Sequence, residues 1–355
     1  DWSSDVCSSD LLSWIQSYLS SRSQQINIQS KLSSPKPLSF GVPQGSGLGP
    51  LLFTLYTRPL SSVIKAHSLS HHLYADDTQV YTSFTLSDHK TQMSALQNCL
   101  SDIQCWMFQN KLKLNPDKTE FMLIGNKQQR EKFSSYFPVT LLGNPVKPAD
   151  AAKNLGVLFD NEFSFRNHIS LTCRSCYYHI RNLKRIRKHL SLTDSITLAN
   201  ALVTSKLDYC NSLLTGVASK EIIKLQRVQN CLARVITRSV RFSPSSPILK
   251  SLHWLPIQSR ISFKVGLITF KTLLHKQPSY LHEYFNIQAN ERNLRSNDQR
   301  LLIVPKTSSK SGSRAFSVSA CAIWNQLPFH IRQANSVQIF RKQLKTYLFQ
   351  LAYPP

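Results

Sequence analysis

Hydrophobic residues recur every three or four positions along much of the chain, the spacing that places them on one face of a helix. Shorter stripes predict helices over 12–19 and 337–348, and apolar residues on two faces of 261–274 predict a helix buried on both sides. Before residue 160 the clearest stripe is Met93, Leu96, Leu100, Ile103 and Met107. After residue 165 helical stripes dominate, with predicted core positions Ile169, Cys173, Cys176, Ile180, Leu183, Leu225, Val228, Leu232 and Val235.

Strand signals are confined to the first part of the chain, before residue 160. Residues 25–29 alternate between apolar and polar, and the short apolar segments 112–114 and 121–124 flank a turn. Residues 72–82 predict two strands that reverse at a pair of aspartates. Strands followed by helices predict an α+β fold, an antiparallel sheet with packed helices followed by an all-α region.

A strong positive charge changes the range of expected partners. Lysine and arginine number 43 against 19 aspartates and glutamates, so the formal net charge is +24. Such a charge favours polyanionic partners, nucleic acid first. On two predicted helices the cations fall on faces offset from the apolar stripe, where they suit contact with phosphates, although charged helix faces are usually only solvated. These cations are Arg174, Arg181, Arg185 and Lys188 on one helix and Arg227, Arg234, Arg238 and Arg241 on the other.

A loop rich in glycine and proline, residues 41–50, stands before an apolar helical run. Ser46 is expected to cap that helix, with Pro50 near its first turn. The free N–H groups of such a helix start suit contact with a phosphate or a sugar, but loops of this composition are most often simple turns.

Asp76 and Asp77 fall where the strands of 72–82 must reverse. Adjacent carboxylates on a rigid turn can bind a hard divalent cation, and Mg²⁺ prefers oxygen ligands of this kind. The alternative is an ordinary solvated Asp-Asp turn.

Taken together, these motifs resemble the reverse transcriptases of non-LTR, LINE-type retrotransposons. The segment 41–53 is similar to that family's template-and-nucleotide loop, and Tyr74-Ala75-Asp76-Asp77 is similar to its catalytic hairpin. Residues 113–119 resemble the next motif, 154–160 the hairpin that grips the primer end, and 322–328 the tail that these elements carry.

The resemblance implies a partial polymerase palm over 12–162 and a helical thumb over 163–242. Apolar stripes predict a helical region over 248–285 and a helical tail over 314–355, and the polar composition between them predicts a flexible connector over 286–313. The resemblance also implies a role for each matching residue. Asp76 and Asp77 would be catalytic metal ligands, and Lys118 would donate a proton to pyrophosphate or remain a solvated turn lysine. Template and nucleotide would contact Gly41, Pro43, Gln44, Gly45, Ser46 and Tyr74, and the primer grip would be Leu155, Gly156 and Val157.

The implied cofactor is Mg²⁺, with Mn²⁺ as the alternative, and the implied partners are an RNA template, a DNA primer or duplex, and deoxynucleoside triphosphates. Zinc is not expected, because Cys173 and Cys176 lie on an apolar stripe and no second ligand pair follows them. The eight cysteines are expected to be free thiols. We expect no membrane partner and an intracellular protein, in nucleus and cytoplasm by analogy with the family.

Two features depart from the family pattern. Residues 5–11 match the translation of a sequencing-adapter end, so we expect residues 1–11 to lie outside the natural fold. The family carries a further metal-binding aspartate on a strand before the glycine-rich loop, and we find no counterpart in this chain. We therefore expect a truncated, inactive polymerase copy. The competing hypothesis is a non-enzymatic basic remnant that binds nucleic acid.

Overall fold

The computed structural model describes residues 4–39, 41–42, 45–134, 139–141, 143–288, 300–309 and 311–354. The chain divides into two compact units, one of Asp1–Thr119 with Pro138–Lys147 and one of Glu120–Phe137 with Pro148–Pro355. This division differs from the predicted boundary at residue 162. The reason is that Val157 is buried in one cluster with Phe165 and Ile169, which joins the segment before that boundary to the helices after it.

The first unit mixes helices with short antiparallel strand pairs. Its helices are α1 (Ser4–Leu19), α2 (Gly49–Thr57), α3 (Leu60–Ala66) and α4 (His89–Gln109). Its strands are β1 (Arg22–Gln24), β2 (Asn27–Ile28), β3 (Lys31–Leu32), β4 (Lys36–Leu38), β5 (Ser70–Tyr74), β6 (Asp77–Tyr81), β7 (Val139–Leu141) and β8 (Asn144–Val146).

Helix α4 confirms the apolar stripe predicted between residues 93 and 107. Leu96, Cys99 and Ile103 are buried along it. The side chain of Gln97 donates to the carbonyl of Thr140 and accepts its N–H, both at 2.8 Å. The helix is therefore fastened to strand β7.

The second unit is mainly helical. It contains α5 (Lys127–Ser134), β9 (Ala151–Asn154), β10 (Val157–Asp160), α6 (Arg166–Ile186), α7 (Leu192–Ala199), α8 (Ser205–Asp208), α9 (Ser219–Thr237), α10 (Ser245–Ser251), α11 (Ile257–His275), α12 (Ser279–His282), α13 (Phe316–Asn325), α14 (Phe329–Arg332) and α15 (Val337–Ala352).

Two hydrophobic clusters hold the second unit together. The first joins β10, α6 and α9 through Val157, Ile169 and Leu225. The second is built around Phe270 and Phe340. Helix α11 contributes to both, because Ile257 and Ile261 face the first cluster while Val265 and Phe270 face the second. The prediction of a helix buried on two sides is confirmed.

The sheet predicted from the strand signals is smaller than expected. The strand pairs of the described residues are all two-stranded and antiparallel, β1–β4, β2–β3, β5–β6, β7–β8 and β9–β10. The predicted strands at 112–114 and 121–124 are wrong: Phe121 makes a single parallel bridge to Pro148. The hydrogen bond beside this bridge comes from Ala149, whose N–H donates to the carbonyl of Phe121 at 2.7 Å.

Two other segments also differ from prediction. Helix α1 begins at Ser4 and so includes residues set aside as artefact. Within the predicted connector, residues 289–299 and 310 lie outside the described part, but Leu302 is only 1% exposed. Leu302 donates its N–H to Asn325 Oδ1 at 2.9 Å and accepts from Asn325 Nδ2 at 2.8 Å. This part of the connector is packed rather than flexible.

Among the described residues we find no helix with enough consecutive apolar length to pass through a lipid bilayer.

Candidate active site and nucleic-acid interface

The two candidate metal ligands lie at the tip of the β5–β6 hairpin. Tyr74 pairs with Asp77, so Ala75 and Asp76 form a two-residue loop, and Ala75 has a left-handed φ of +52°. Asp76, Asp77 and Tyr74 are all exposed. No ion pair within the described residues neutralises either carboxylate. The predicted hairpin is confirmed, and both acids face solvent.

The hairpin is braced on both faces behind this tip. On one face His71 Nε2 lies 2.8 Å from Ser61 Oγ of α3, and partial burial lowers the pKa of His71, with Lys65 adding to the effect. On the other face the His72 and Tyr81 rings stack, with centroids 5.5 Å apart. These contacts support the two strands, so the carboxylates project from a fixed turn.

The carboxylate pair fits part of a magnesium site. Carboxylate oxygens are suitable ligands for Mg²⁺, which needs six in octahedral geometry and takes the remainder from water and substrate phosphates. Within the described ranges, no group of three or more His, Cys, Asp or Glu side chains is arranged to hold a metal ion. Asp76 and Asp77 can therefore supply two ligands of a metal site, but not all of the negative charge that such a site needs.

The glycine-rich loop leads into α2, whose N-cap residue is Leu48 rather than the predicted Ser46. Ser46 Oγ accepts the N–H of Gly49 at 3.1 Å, and Pro50 lies in the first turn of α2. Gly41 and Gly45 have φ values of +76° and +81°, and a Cβ on either would meet no atom within 4 Å. Glycine is favoured there by backbone conformation rather than by space. Pro43 and Gln44, two predicted contacts, lie outside the described residues.

Lys118 ends a short 3₁₀ turn, Pro116–Lys118, whose start is capped by Asn115 Oδ1 accepting from the Asp117 N–H at 3.1 Å. The lysine is exposed and forms no ion pair with Asp76 or Asp77. The turn was predicted to join two strands and so to place Lys118 at the entrance of the second, but neither strand forms. The role of Lys118 remains a prediction.

The predicted primer grip is the turn of the β9–β10 hairpin, which lies in the second unit. Asn154 pairs with Val157, and the two loop residues Leu155 and Gly156 have φ of +44° and +81°. Val157 is 3% exposed and belongs to the first hydrophobic cluster, whereas Leu155 is exposed. The hairpin therefore presents its tip to solvent while its strand is anchored in the helical core.

The basic face predicted on α6 is present for its three arginines, whereas Lys188 lies in the 3₁₀ turn Arg187–His189 just after the helix. We call the four residues together the α6 stripe. Its members Arg174, Arg181, Arg185 and Lys188 are all exposed and, among the described residues, none forms an ion pair. Tyr178, which the charge pattern does not mark, is 57% exposed and lies between Arg174 and Arg181 on the same face. The opposite face of the helix is buried. Within the part of the chain that the structure describes, the stripe is a row of cations without acidic partners.

The second predicted basic face is largely absent. Helix α9 ends at Thr237, so Arg238 and Arg241 lie beyond it. Arg234 Nε donates to the carbonyl of Ser243 at 2.9 Å. Arg238 Nη2 donates to the carbonyls of Arg187 and Lys188 at 3.0 and 3.1 Å. Of the four predicted cations, Arg227 is exposed within α9, and Arg238 and Arg241 are exposed beyond its end.

Arg187 is a structural residue that the charge pattern did not reveal. It is 8% exposed, and it donates from Nε to the carbonyl of Ile236 and from Nη1 to that of Leu190, both at 2.7 Å. Arg187 and Arg238 thus satisfy carbonyls at the ends of each other's helical segments, where cations are favourable. Arg187 comes four residues after the buried Leu183, which is one helical turn. It therefore continues the apolar stripe of α6, and this spacing could have indicated that it is buried.

We expect Arg187→Ala to lower the free energy of unfolding by about 2 kcal/mol, because it leaves two carbonyls without their donor. The matched control is Arg185→Ala, two residues away and exposed, which should change it by less than about 0.5 kcal/mol. Urea unfolding followed by circular dichroism measures both. Equal destabilisation by the two variants would contradict the assignment.

The cysteines of α6 pack in the core. Burial raises the pKa of Cys176 to about 12, and that of Cys173 is also raised. Nearby His168 Nδ1 lies 3.4 Å from the N–H of Leu158, and burial lowers its pKa. The seven cysteines with described side chains are free thiols, as predicted.

Comparison with known proteins identifies the first part of the chain. The family model for the reverse transcriptase (RNA-dependent DNA polymerase) matches residues 4–159, which include the glycine-rich loop and the Asp76–Asp77 hairpin.

Three relatives from Drosophila melanogaster agree with this match. "Probable RNA-directed DNA polymerase from transposon BS" is 26% identical over 257 residues, 70% of this chain and 28% of that protein. "Probable RNA-directed DNA polymerase from transposon X-element" is 27% identical over 257 residues, 70% of this chain and 27% of that protein. "RNA-directed DNA polymerase from mobile element jockey" is 26% identical over 223 residues, 60% of this chain and 23% of that protein.

The chain spans about a quarter of the length of these relatives. The matched segment and the transposon polymerases agree on one family, so this chain carries, over residues 4–159, a reverse transcriptase domain of the non-LTR, LINE type.

Proposed function

We propose that this chain derives from an RNA-directed DNA polymerase that extends a primer 3′-OH on an RNA template with deoxynucleotides. The observation that carries the proposal is the pair of exposed, un-neutralised carboxylates of Asp76 and Asp77 at a braced hairpin tip inside the reverse transcriptase domain. A rigid acidic turn of this kind is suited to holding a divalent cation beside phosphate oxygens.

Each remaining site residue has a proposed task. The loop containing Gly41, Gly45 and Ser46 positions template and nucleotide beside Tyr74, with Pro43 and Gln44 assigned by resemblance alone. Lys118 protonates the departing pyrophosphate. Leu155 and Gly156 contact the primer end, and the buried Val157 beside them anchors their hairpin in the helical core. The α6 stripe, together with Arg227, contacts phosphates of the template–primer duplex without reading its sequence.

Asp76 and Asp77 would hold Mg²⁺ or Mn²⁺, which when bound would stabilise the charge on the reacting phosphate oxygens. We propose that the 355-residue chain by itself is inactive, because no third carboxylate joins this pair among the described residues. Two carboxylates supply too little negative charge and too few ligands to fix the coordination geometry of the divalent ions. We also propose nucleus and cytoplasm as its location, following the family.

Primer extension on an RNA template with Mg²⁺ or Mn²⁺ tests these statements. The chain is expected to bind the template–primer hybrid and to incorporate no deoxynucleotide above the level of Asp76→Asn. Synthesis that depends on Asp76 would overturn the inactivity while supporting the polymerase assignment. Failure to bind the hybrid at all would count against the polymerase assignment itself.

A second candidate function is non-enzymatic binding of nucleic acid. The observation that favours it is the α6 stripe, whose four cations lie far along the chain from the acidic hairpin and lack acidic partners among the described residues. Under this hypothesis hybrid binding is salt-dependent, is unchanged by Asp76→Ala, and shows no preference for a recessed primer end. A preference for that end would favour the polymerase assignment.

A further inference from the structure

The tip of the β9–β10 hairpin is held by a tyrosine that is distant in sequence. Tyr209 follows α8 and donates its hydroxyl hydrogen to the carbonyl oxygen of Leu155 at 2.5 Å. Its ring covers the neighbouring loop residue, since a Cβ on Gly156 would lie 3.5 Å from Tyr209 Cε1. Both residues of the hairpin loop therefore contact one side chain.

The base of the same hairpin is fastened to the start of α6. The carboxylate of Asp160, the last residue of β10, accepts the N–H of Ser164 at 2.8 Å and that of Phe165 at 2.6 Å. Arg314 Nη1 donates to the carbonyl of Phe163 at 2.7 Å, and its Nε donates to that of Thr215 at 3.2 Å. These bonds connect the turn after β10 with α6 and with the start of the C-terminal helices.

The tip and the base differ in what holds them. The base is held by the hydrogen bonds of Asp160 and Arg314. Beside the tip, the side chain of Val157 is buried and only 3% exposed. The tip is exposed, and its loop residues have left-handed backbone conformations, one of them at a leucine. Leucine in this conformation is unfavourable, so the loop needs outside contacts to keep a single shape. Tyr209 supplies such contacts from the helical region.

We propose that Tyr209 is a positioning residue that fixes the hairpin tip to the helical region. The tip is then already ordered when it meets a primer 3′ end. This inference rests on the proposed function, in which Leu155 and Gly156 contact the primer. A loop ordered before binding loses less conformational entropy when its ligand arrives, and the affinity for that ligand is correspondingly higher.

The test compares two fluorescent RNA–DNA hybrids, one with a recessed DNA 3′ end and one blunt, in binding to the full chain. The wild-type chain should prefer the recessed end. Tyr209→Phe removes only the hydroxyl, and we expect it to weaken binding of the recessed hybrid about five-fold while leaving the blunt hybrid unchanged. The matched control is Tyr284→Phe. Tyr284 is an exposed tyrosine away from the β9–β10 hairpin and from the α6 stripe, so its change should alter neither affinity.

Hydrogen exchange provides a readout that does not depend on nucleic acid. In Tyr209→Phe the amides of 154–157 should exchange faster, while those of α6 keep the wild-type rate. A wild-type chain that binds both hybrids equally would refute the proposed primer grip, and this inference with it. A wild-type preference retained in Tyr209→Phe, with unchanged exchange at the tip, would refute the positioning role alone.

Discussion

Replacing Arg174, Arg181, Arg185 and Lys188 together by alanine is expected to remove most of the salt-sensitive affinity of this chain for an RNA–DNA hybrid. Each cation that neutralises a phosphate releases condensed counterions, and the logarithm of affinity falls with the logarithm of salt by about 0.9 for each contact. Four lost contacts reduce that slope by about 3.6. Between 50 and 200 mM salt the wild-type chain should therefore lose roughly 100-fold more affinity than the variant.

Fluorescence anisotropy of a labelled hybrid across a salt series measures both slopes. The matched control replaces Lys271, Arg341, Lys342 and Lys345, which are exposed cations on α11 and α15. It removes the same number of charges from the +24 of the chain, so a nonspecific effect of net charge would lower both slopes alike. If the α6 variant has the same slope of log affinity against log salt as the wild-type chain, its four cations do not contact phosphates and are only solvated.

The α6 stripe shows what helical periodicity can predict. The apolar stripe through Ile169, Cys176, Ile180 and Leu183 is buried, and the cations offset from it are exposed. Periodicity depends only on neighbours along one helix, so it identifies a face without knowledge of the fold. The reversal at Asp76 was predictable for the same reason, because a turn between adjacent strands is local.

Helix ends were less predictable than helix faces. The arginine pattern of α9 continues through Arg238, but the helix stops at Thr237, where the backbone of Arg238 turns left-handed with φ of +56°. Its guanidinium then reaches carbonyls about fifty residues away in sequence. A cation that caps another helix and a cation that faces solvent look the same in a charge pattern.

Contacts between distant segments were not predictable from the sequence at all. Nothing near Leu155 indicates that Tyr209, 54 residues later, bonds to its carbonyl. The predicted strands around the 115–117 turn failed for a related reason. An apolar segment forms a strand only when a partner edge is available, and Phe121 makes just one isolated bridge, to Pro148.

The largest effect on stability is expected at Phe340, where we predict that Phe340→Ala lowers the free energy of unfolding by about 4 kcal/mol. Phe340 is fully buried, its ring stacks on Phe270 with centroids 4.1 Å apart, and it lies 6.0 Å from the ring of Trp324. Alanine would lose these contacts and leave a cavity that three helices surround, since the aromatic side chains come from α11, α13 and α15.

Urea unfolding followed by tryptophan fluorescence measures this loss, and Phe242→Ala is the control. Phe242 is 85% exposed, so its removal should change the free energy of unfolding by less than about 0.5 kcal/mol. A loss below about 1 kcal/mol at Phe340 would contradict the second hydrophobic cluster. Because α11 also lies in the first cluster, which holds α6 and the β9–β10 hairpin, the destabilisation should reach the α6 stripe. Hybrid binding by Phe340→Ala is therefore expected to fail at lower urea concentration than in the wild-type chain, although Phe340 is fully buried.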